Sequence, residues 1–217
     1  MAVERTATLV AVTDHGADTR SLFLDLPGGL DFRPGQFVSC LLPVDGERLT
    51  RPYSIASSPE HADRLELLLN LVPDGAGSQH LFDLPIGGTI QLTGPWGTFA
   101  LDRAPDAETV FLADGTGIAP IRPMLHRAAA TASRPLHLVW ATTNPFWADE
   151  LRAIDGLSVT IIAPSALEAT VRARWVDADD DRSRHFFVCG VGDIVPRLRD
   201  LLRGSGYARR AVQYERW

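Results

Sequence analysis

The feature that most constrains the fold is a change of hydrophobic period near the middle of the chain. Before residue 100, short β-favouring stretches recur at 6–13, 21–26, 36–42, 53–56, 65–72 and 89–92, with Gly and Pro between them. Six such strands with turn chemistry between them predict a closed antiparallel β-barrel of Greek-key type. One short helix is expected after Ser78, over roughly 80–84. After residue 109 the pattern changes to continuous apolar runs at 110–113, 136–141, 159–163, 186–189 and 211–214. Helical stretches lie between these runs. The clearest is 194–202, where Ile194, Val195, Leu198, Leu201 and Leu202 form one stripe. Pro196 suits its first turn, and Gly204 or Gly206 suits its end. Strand–helix alternation predicts a five-stranded parallel sheet covered on both faces, an α/β domain. The expected division is therefore 1–102 for the barrel and 103–217 for the sheet, with the polar, proline-bearing link 101–106 at the join.

A chain of 217 residues can bury a core without disulfides or structural metal. Its two cysteines, Cys40 and Cys189, are too few for a four-thiolate iron–sulfur cluster or a closed zinc site. No metal site is expected. Sparse cysteine also fits a reducing cytoplasm. The net charge is −6, and all 21 basic residues are arginine. That balance argues against nucleic acid or an anionic membrane as the main partner. The N-terminus has no apolar signal region, and no run approaches the roughly 20 apolar residues that span a bilayer.

Two segments carry chemistry. Ala113-Asp114-Gly115-Thr116-Gly117-Ile118-Ala119-Pro120 follows a buried-type strand and opens a helix. Gly115 and Gly117 allow close backbone approach to a bulky anion, and Pro120 and Pro123 both fit a first helical turn. The N–H groups of that turn suit a pyrophosphate. A ligand-free glycine turn has the same composition. In the first half, Arg51-Pro52-Tyr53-Ser54 offers a forked cation for phosphate, a flat ring and a hydroxyl donor. Taken alone, it reads equally as an ordinary strand.

Together the segments are more specific. Arg51-Pro52-Tyr53-Ser54 with Ile55-Ala56-Ser57 resembles the flavin-binding signature of the ferredoxin–NADP reductase superfamily. Gly115-Thr116-Gly117-Ile118-Ala119-Pro120 and Cys189-Gly190 follow in that family's order, so the resemblance covers nearly the whole chain. It implies that Arg51 binds a flavin phosphate, Pro52 and Tyr53 border the isoalloxazine, and Ser54 sits near its reactive N5. Gly77-Ser78 resembles the second flavin-phosphate loop, with Ser78 capping the short helix. Gly94-Pro95-Trp96-Gly97-Thr98-Phe99 resembles the segment that closes the barrel. The resemblance further implies that Gly115, Thr116, Gly117 and Thr142 hold the nicotinamide dinucleotide. Cys189 and Gly190 then lie beside the nicotinamide, at a cleft where the two ligands meet. Residue types alone make Cys189 a small buried apolar side chain. Glu215 and Trp217 resemble the family's terminal Glu and aromatic pair, with Trp217 covering the flavin; a frayed terminus is the alternative. Asp114 departs from the family pattern. Its carboxylate is expected to turn away from the pyrophosphate or to bond a loop N–H.

The implied activity is hydride transfer from NAD(P)H to bound FAD, with FMN as the alternative, and onward transfer to a separate ferredoxin, flavodoxin or oxygenase component. Catalytic roles fall to Ser54, Cys189 and Glu215. Some relatives carry a fused iron–sulfur domain, which is expected here to be a separate polypeptide. Thr142-Thr143-Asn144-Pro145 and Pro164-Ser165-Ala166 offer no arginine for a 2′-phosphate, which favours NADH over NADPH. Two other readings remain open at this point: reduction of free flavin as a diffusible substrate, and a flavin-binding electron-transfer subunit without its own turnover.

Overall fold

The structure is a computed structural model that describes residues 3–44 and 46–217. The chain divides into two compact units, Met1–Ala100 and Leu101–Trp217.

The first unit contains β1 (Arg5–Asp14), β2 (Thr19–Asp25), β3 (Phe37–Val44), β4 (Glu47–Ser54), β5 (Arg64–Asn70), α1 (Ala76–Asp83) and β6 (Thr89–Trp96). Its antiparallel strands run in the order β4-β3-β6-β1-β2-β5, so β6 returns between β1 and β3 in Greek-key fashion. An antiparallel bridge between Ile55 and Leu67 joins the two ends of the sheet and closes the barrel. Successive strand residues point to opposite faces. Val38, Cys40 and Leu42 of β3 therefore share a buried face with Leu22 and Leu24 of β2 and with Leu65, Leu67 and Leu69 of β5. Leu81 brings α1 onto this core. Truncating it to alanine would remove about 2–5 kcal/mol by leaving a cavity.

Two expectations are corrected here. The strand expected over 53–56 is β4, and it begins at Glu47. Val44 pairs directly with Glu47, and Gly46, just before β4, is left-handed at φ 79°. The short helix begins at Ala76, four residues before the expected start, because Gly75 serves as its N-cap.

The second unit contains β7 (Thr109–Asp114), α2 (Ile118–Ala129), β8 (Leu136–Ala141), α3 (Ala148–Arg152), β9 (Leu157–Ile162), α4 (Leu167–Trp175), β10 (His185–Gly190), α5 (Ile194–Gly204) and β11 (Val212–Arg216). The five strands are parallel, in the order β11-β10-β7-β8-β9. Val110, Leu112, Val139, Phe186 and Val188 pack with Val171 and Trp175 of α4 and with Leu198 and Leu202 of α5. The alternate residues face the other way. Among them Phe111 and Phe187 stack at 5.3 Å between centroids, and α2 lies against β7, β8 and β10. The chain order reverses between β7 and β10. In open α/β sheets, ligands bind outside the carboxyl ends of the strands at such a switch point.

Candidate functional site

In the barrel unit the register of β3 and β4 places Cys40 opposite Arg51, Val38 opposite Tyr53, and Phe37 opposite Ser54. Arg51 and Pro52 are exposed, Tyr53 is half-buried and Ser54 is buried. The Tyr53 phenol is pushed up to about 12, by burial first and by Cys40 next, against the pull of Arg51. It is therefore a neutral donor and a flat apolar face at physiological pH. The strand borders a groove of about 570 Å³ whose walls include Glu47, Arg48, Arg51, Tyr53, Asp74 and Gly77.

The start of α1 forms the opposite wall, and its residues there are small for a reason. A Cβ on Gly77 would lie 3.0 Å from Cγ of Arg51, and one on Gly75 would lie 2.8 Å from Cβ of Val72. Gly75 caps the helix without a side-chain bond. The first-turn N–H groups, which lack intrahelical partners, and the positive end of the helix dipole thus face a groove that also holds an arginine. This donor set fits a phosphate.

Ser78 does not cap the helix as expected. It is the third helical residue and is buried. Its Oγ accepts the N–H of Val72 at 3.0 Å and donates to the carbonyl of Gly75 at 2.9 Å. The hydroxyl therefore stitches the preceding loop to the helix. The sequence expectation failed because the helix starts earlier, on glycine.

In the sheet unit the segment Gly115–Gly117 is one turn of 3-10 helix between β7 and α2. Gly115 is left-handed, at φ 53°. A Cβ on Gly117 would lie 2.3 Å from the carbonyl oxygen of Cys189, and one on Gly190 would lie 2.7 Å from Cβ of Asp114. The ends of β7 and β10 thus approach so closely that only glycine fits at both places. Burial raises the pKa of Asp114, and its carboxylate accepts the N–H of Val191, which follows β10, so it bonds an amide of a different loop from the Gly115–Gly117 turn expected. Pro123 lies inside α2, not in its first turn. The N–H of Ile118 is turned back to the carbonyls of Gly115 and Thr116. Fewer helix donors are thus open to an anion than the sequence suggests.

Cys189 is buried and pairs in register with Glu215. Burial pushes its thiol well up, the Glu215 charge adds to this, and a hydrogen bond from the Trp217 indole works against it. Burial also raises Glu215 to about 7, and its Oε1 is a buried atom without a hydrogen-bond partner. Trp217 is held at the end of β11. Its N–H donates to the Gly190 carbonyl at 3.1 Å, and its own carbonyl accepts the Gly192 N–H at 3.2 Å. Gly115, Thr116, Gly117, Cys189, Gly190, Glu215 and Trp217 therefore gather at the carboxyl ends of β7, β10 and β11. Thr142 lies at the end of β8, where its Oγ1 accepts the Asn144 N–H at 3.0 Å and donates to the Asn144 carbonyl at 3.2 Å. Its hydroxyl shapes a turn. Among the described residues no group of His, Cys, Asp or Glu is placed to hold a metal ion.

Sequence reasoning missed two participants. Gly75 was legible in the small-residue run Gly75-Ala76-Gly77, which leaves an N-terminus open. Trp140, whose indole N–H reaches the Gly115 carbonyl at 2.9 Å, gave no local signal, because the bond spans two strands.

The sequence profile of the oxidoreductase FAD-binding domain matches residues 6–101. Over 97% of the chain and 96% of the relative's length, the sequence is 33% identical to ferredoxin–NADP reductase B of Sorangium cellulosum. The chain belongs to the ferredoxin–NADP reductase superfamily. It is also 29% identical to the ferredoxin reductase component of a 3-ketosteroid-9-alpha-monooxygenase from Rhodococcus rhodochrous, over 96% of this chain and 63% of that longer one. The fold matches a ferredoxin NADP+ reductase from Neisseria gonorrhoeae with a TM-score of 0.86 at 21% identity, over 98% of both chains. No helix among the described residues is long and apolar enough to cross a membrane.

Proposed function

We propose that this superfamily member is a cytoplasmic flavoprotein reductase that takes hydride from NADH onto FAD and passes electrons to a separate redox protein. The observation that carries the reading is the barrel groove, where Arg51 faces the glycine-lined start of α1. An arginine opposite open helix N–H groups supplies the donors that the diphosphate of FAD needs. Acceptors of the expected class are a ferredoxin, a flavodoxin or an oxygenase component, in keeping with the names of the relatives.

FAD supplies the hydride and single-electron chemistry when bound. The residues of the chain bind, orient and handle protons. Arg51 and the first turn of α1 hold the diphosphate. Tyr53 presents its ring to the isoalloxazine, and the Ser54 hydroxyl donates toward the N5 edge. Gly115, Thr116 and Gly117 hold the dinucleotide, and Gly190 lets the end of β10 close against Asp114 beside that loop. Cys189 stays a neutral thiol, because burial opposes its ionisation. Glu215, with a pKa of about 7, can hold or release a proton at its carboxyl at neutral pH.

NADH is favoured over NADPH by the loops that follow β8 and β9. Thr142-Thr143-Asn144-Pro145 and Ala163-Pro164-Ser165-Ala166 contain no cation. Arg174 donates to Thr160 at 2.9 Å and stacks on Trp175. The name of the Sorangium relative points to NADP, so the choice rests on these local residues. The test is anaerobic titration of the purified yellow protein. Bleaching by NADH with a clearly higher kcat/KM than for NADPH is the expected result. Equal values or an NADPH advantage overturns the preference, and no bleaching by either overturns the reductase reading.

A further inference from the structure

We propose that Trp140 is a positioning residue for the dinucleotide, acting by aiming the Thr116 N–H. The inference rests on the reading that Gly115–Gly117 is the dinucleotide loop. Trp140 is fully buried on β8, in register with Ala113 of β7. Its Nε1–H donates to the Gly115 carbonyl at 2.9 Å. The same oxygen accepts the Ile118 N–H, so both of its lone pairs are engaged.

The consequence follows from the geometry of the peptide. The carbonyl of Gly115 and the N–H of Thr116 belong to one planar unit. The only cis bond among the described residues is Gly94-Pro95, so this unit is trans. In a trans peptide the C=O and N–H point in opposite directions. By fixing the carbonyl inward, Trp140 turns the Thr116 N–H away from the protein interior. This peptide turns about ψ of Gly115 and φ of Thr116, and Gly115 has no Cβ to restrict the first of these. Without the indole bond only the Ile118 N–H, which is shared with the Thr116 carbonyl, still holds this oxygen, so the peptide is less firmly fixed and the donor less well aimed. The ring itself is held in place, with Phe146 edge-on at 5.3 Å.

The test uses the flavin-loaded full chain with Trp140→Phe, which keeps an aromatic ring and removes the donor. Anaerobic stopped-flow reduction by NADH should show a half-saturating concentration raised about fivefold, the loss expected for one hydrogen bond. The limiting reduction rate should stay within about twofold, since the interaction acts on binding and not on the transition state. In the wild-type chain, NAD+ should protect the amides of residues 115–119 from hydrogen–deuterium exchange. If that protection is present and the variant saturates normally, the role of Trp140 is refuted while the loop stands. If NAD+ leaves the loop unprotected, the dinucleotide site and this proposal both fall. Should Trp140→Phe not fold, the indole ¹⁵N–¹H resonance of Trp140 in the wild-type chain decides. A shift on NAD+ addition supports the proposal, and an unmoved resonance beside a protected loop rejects it.

Discussion

Cys189 and Glu215 are register partners on the adjacent parallel strands β10 and β11, and burial favours the neutral form of both. The consequence for stability has a definite sign. An unfolded glutamate titrates near 4.5, and Glu215 in the folded chain titrates near 7. Between those values the folded state binds the extra proton, so stability falls as pH rises through this window. The favourable contribution is complete below about 4.5 and is lost above about 7. The loss should be on the order of 2 kcal/mol between mildly acid and mildly alkaline buffer. Thermal melts of wild type and Glu215→Gln at several pH values check this. The variant should lack the decline, and parallel curves for the two proteins would count against a buried, proton-holding Glu215.

Gly117→Ala should be among the most damaging single changes in the sheet unit. The added methyl would meet the Cys189 carbonyl oxygen at 2.3 Å and its carbon at 2.5 Å, and both are backbone atoms that cannot swing aside. Strand β10 must move or the loop must unwind. A loss of about 2 kcal/mol or more is expected, along with at least a roughly tenfold weaker response to NADH. Flavin absorbance should remain, because Arg51 and the α1 groove lie in the other unit. Melting curves and NADH titration on the same preparation separate the effects. A variant of wild-type stability would show that the close approach of β7 and β10 is not required.

The sequence made both architectures legible, since hydrophobic period and turn chemistry are local signals. Strand β8 was expected over the span it occupies, 136–141. Failures came where a structural cause was non-local or competed with a stronger cue. Strand β4 was placed too late because its polar first half, Glu47 to Arg51, lacks an apolar face; its hairpin pairing with β3 defines it instead. Ser78 looked like an N-cap by residue type, yet Gly75 takes that position and the serine turns inward to Val72. Pro123 looked like a helix-start residue and sits within α2. The gathering of Cys189, Glu215 and Trp217 around the end of β7 depends on strand order. The order β11-β10-β7 was not readable from any one segment.

Arg51→Met should weaken flavin binding while leaving the barrel folded. The stem of Arg51 packs over Gly77, with Cγ 3.0 Å from where a Cβ would stand. Methionine keeps that contact and removes only the charged head, which is exposed. A charge-assisted hydrogen bond to phosphate contributes roughly 1.5–3 kcal/mol, so the flavin Kd should rise about 10- to 100-fold. Fluorescence titration of the stripped protein with FAD measures it. Repeating the titration with riboflavin, which has no phosphate, should give nearly equal affinities for variant and wild type. A similar loss for riboflavin would mean that Arg51 supports the groove and does not pair with the diphosphate.

Ser54→Ala separates chemistry from affinity. Ser54 is buried at the end of β4, opposite Phe37, with only 6% of its surface exposed. A hydroxyl there contributes little area to flavin binding, and the diphosphate contacts proposed for Arg51 and α1 would be untouched by its removal. Affinity for FAD should therefore change by less than about threefold. If the Ser54 hydroxyl donates toward the flavin N5 edge as proposed, it would stabilise the transition state of flavin reduction more than the ground state. The rate of flavin reduction at saturating NADH should fall about tenfold or more. Ser54→Thr, which restores the hydroxyl, should recover part of the rate if its methyl is tolerated in this buried position. The decisive measurement is anaerobic stopped-flow reduction followed at the flavin absorbance. An alanine variant that is reduced at the wild-type rate removes Ser54 from the chemistry and leaves it a packing residue of the barrel.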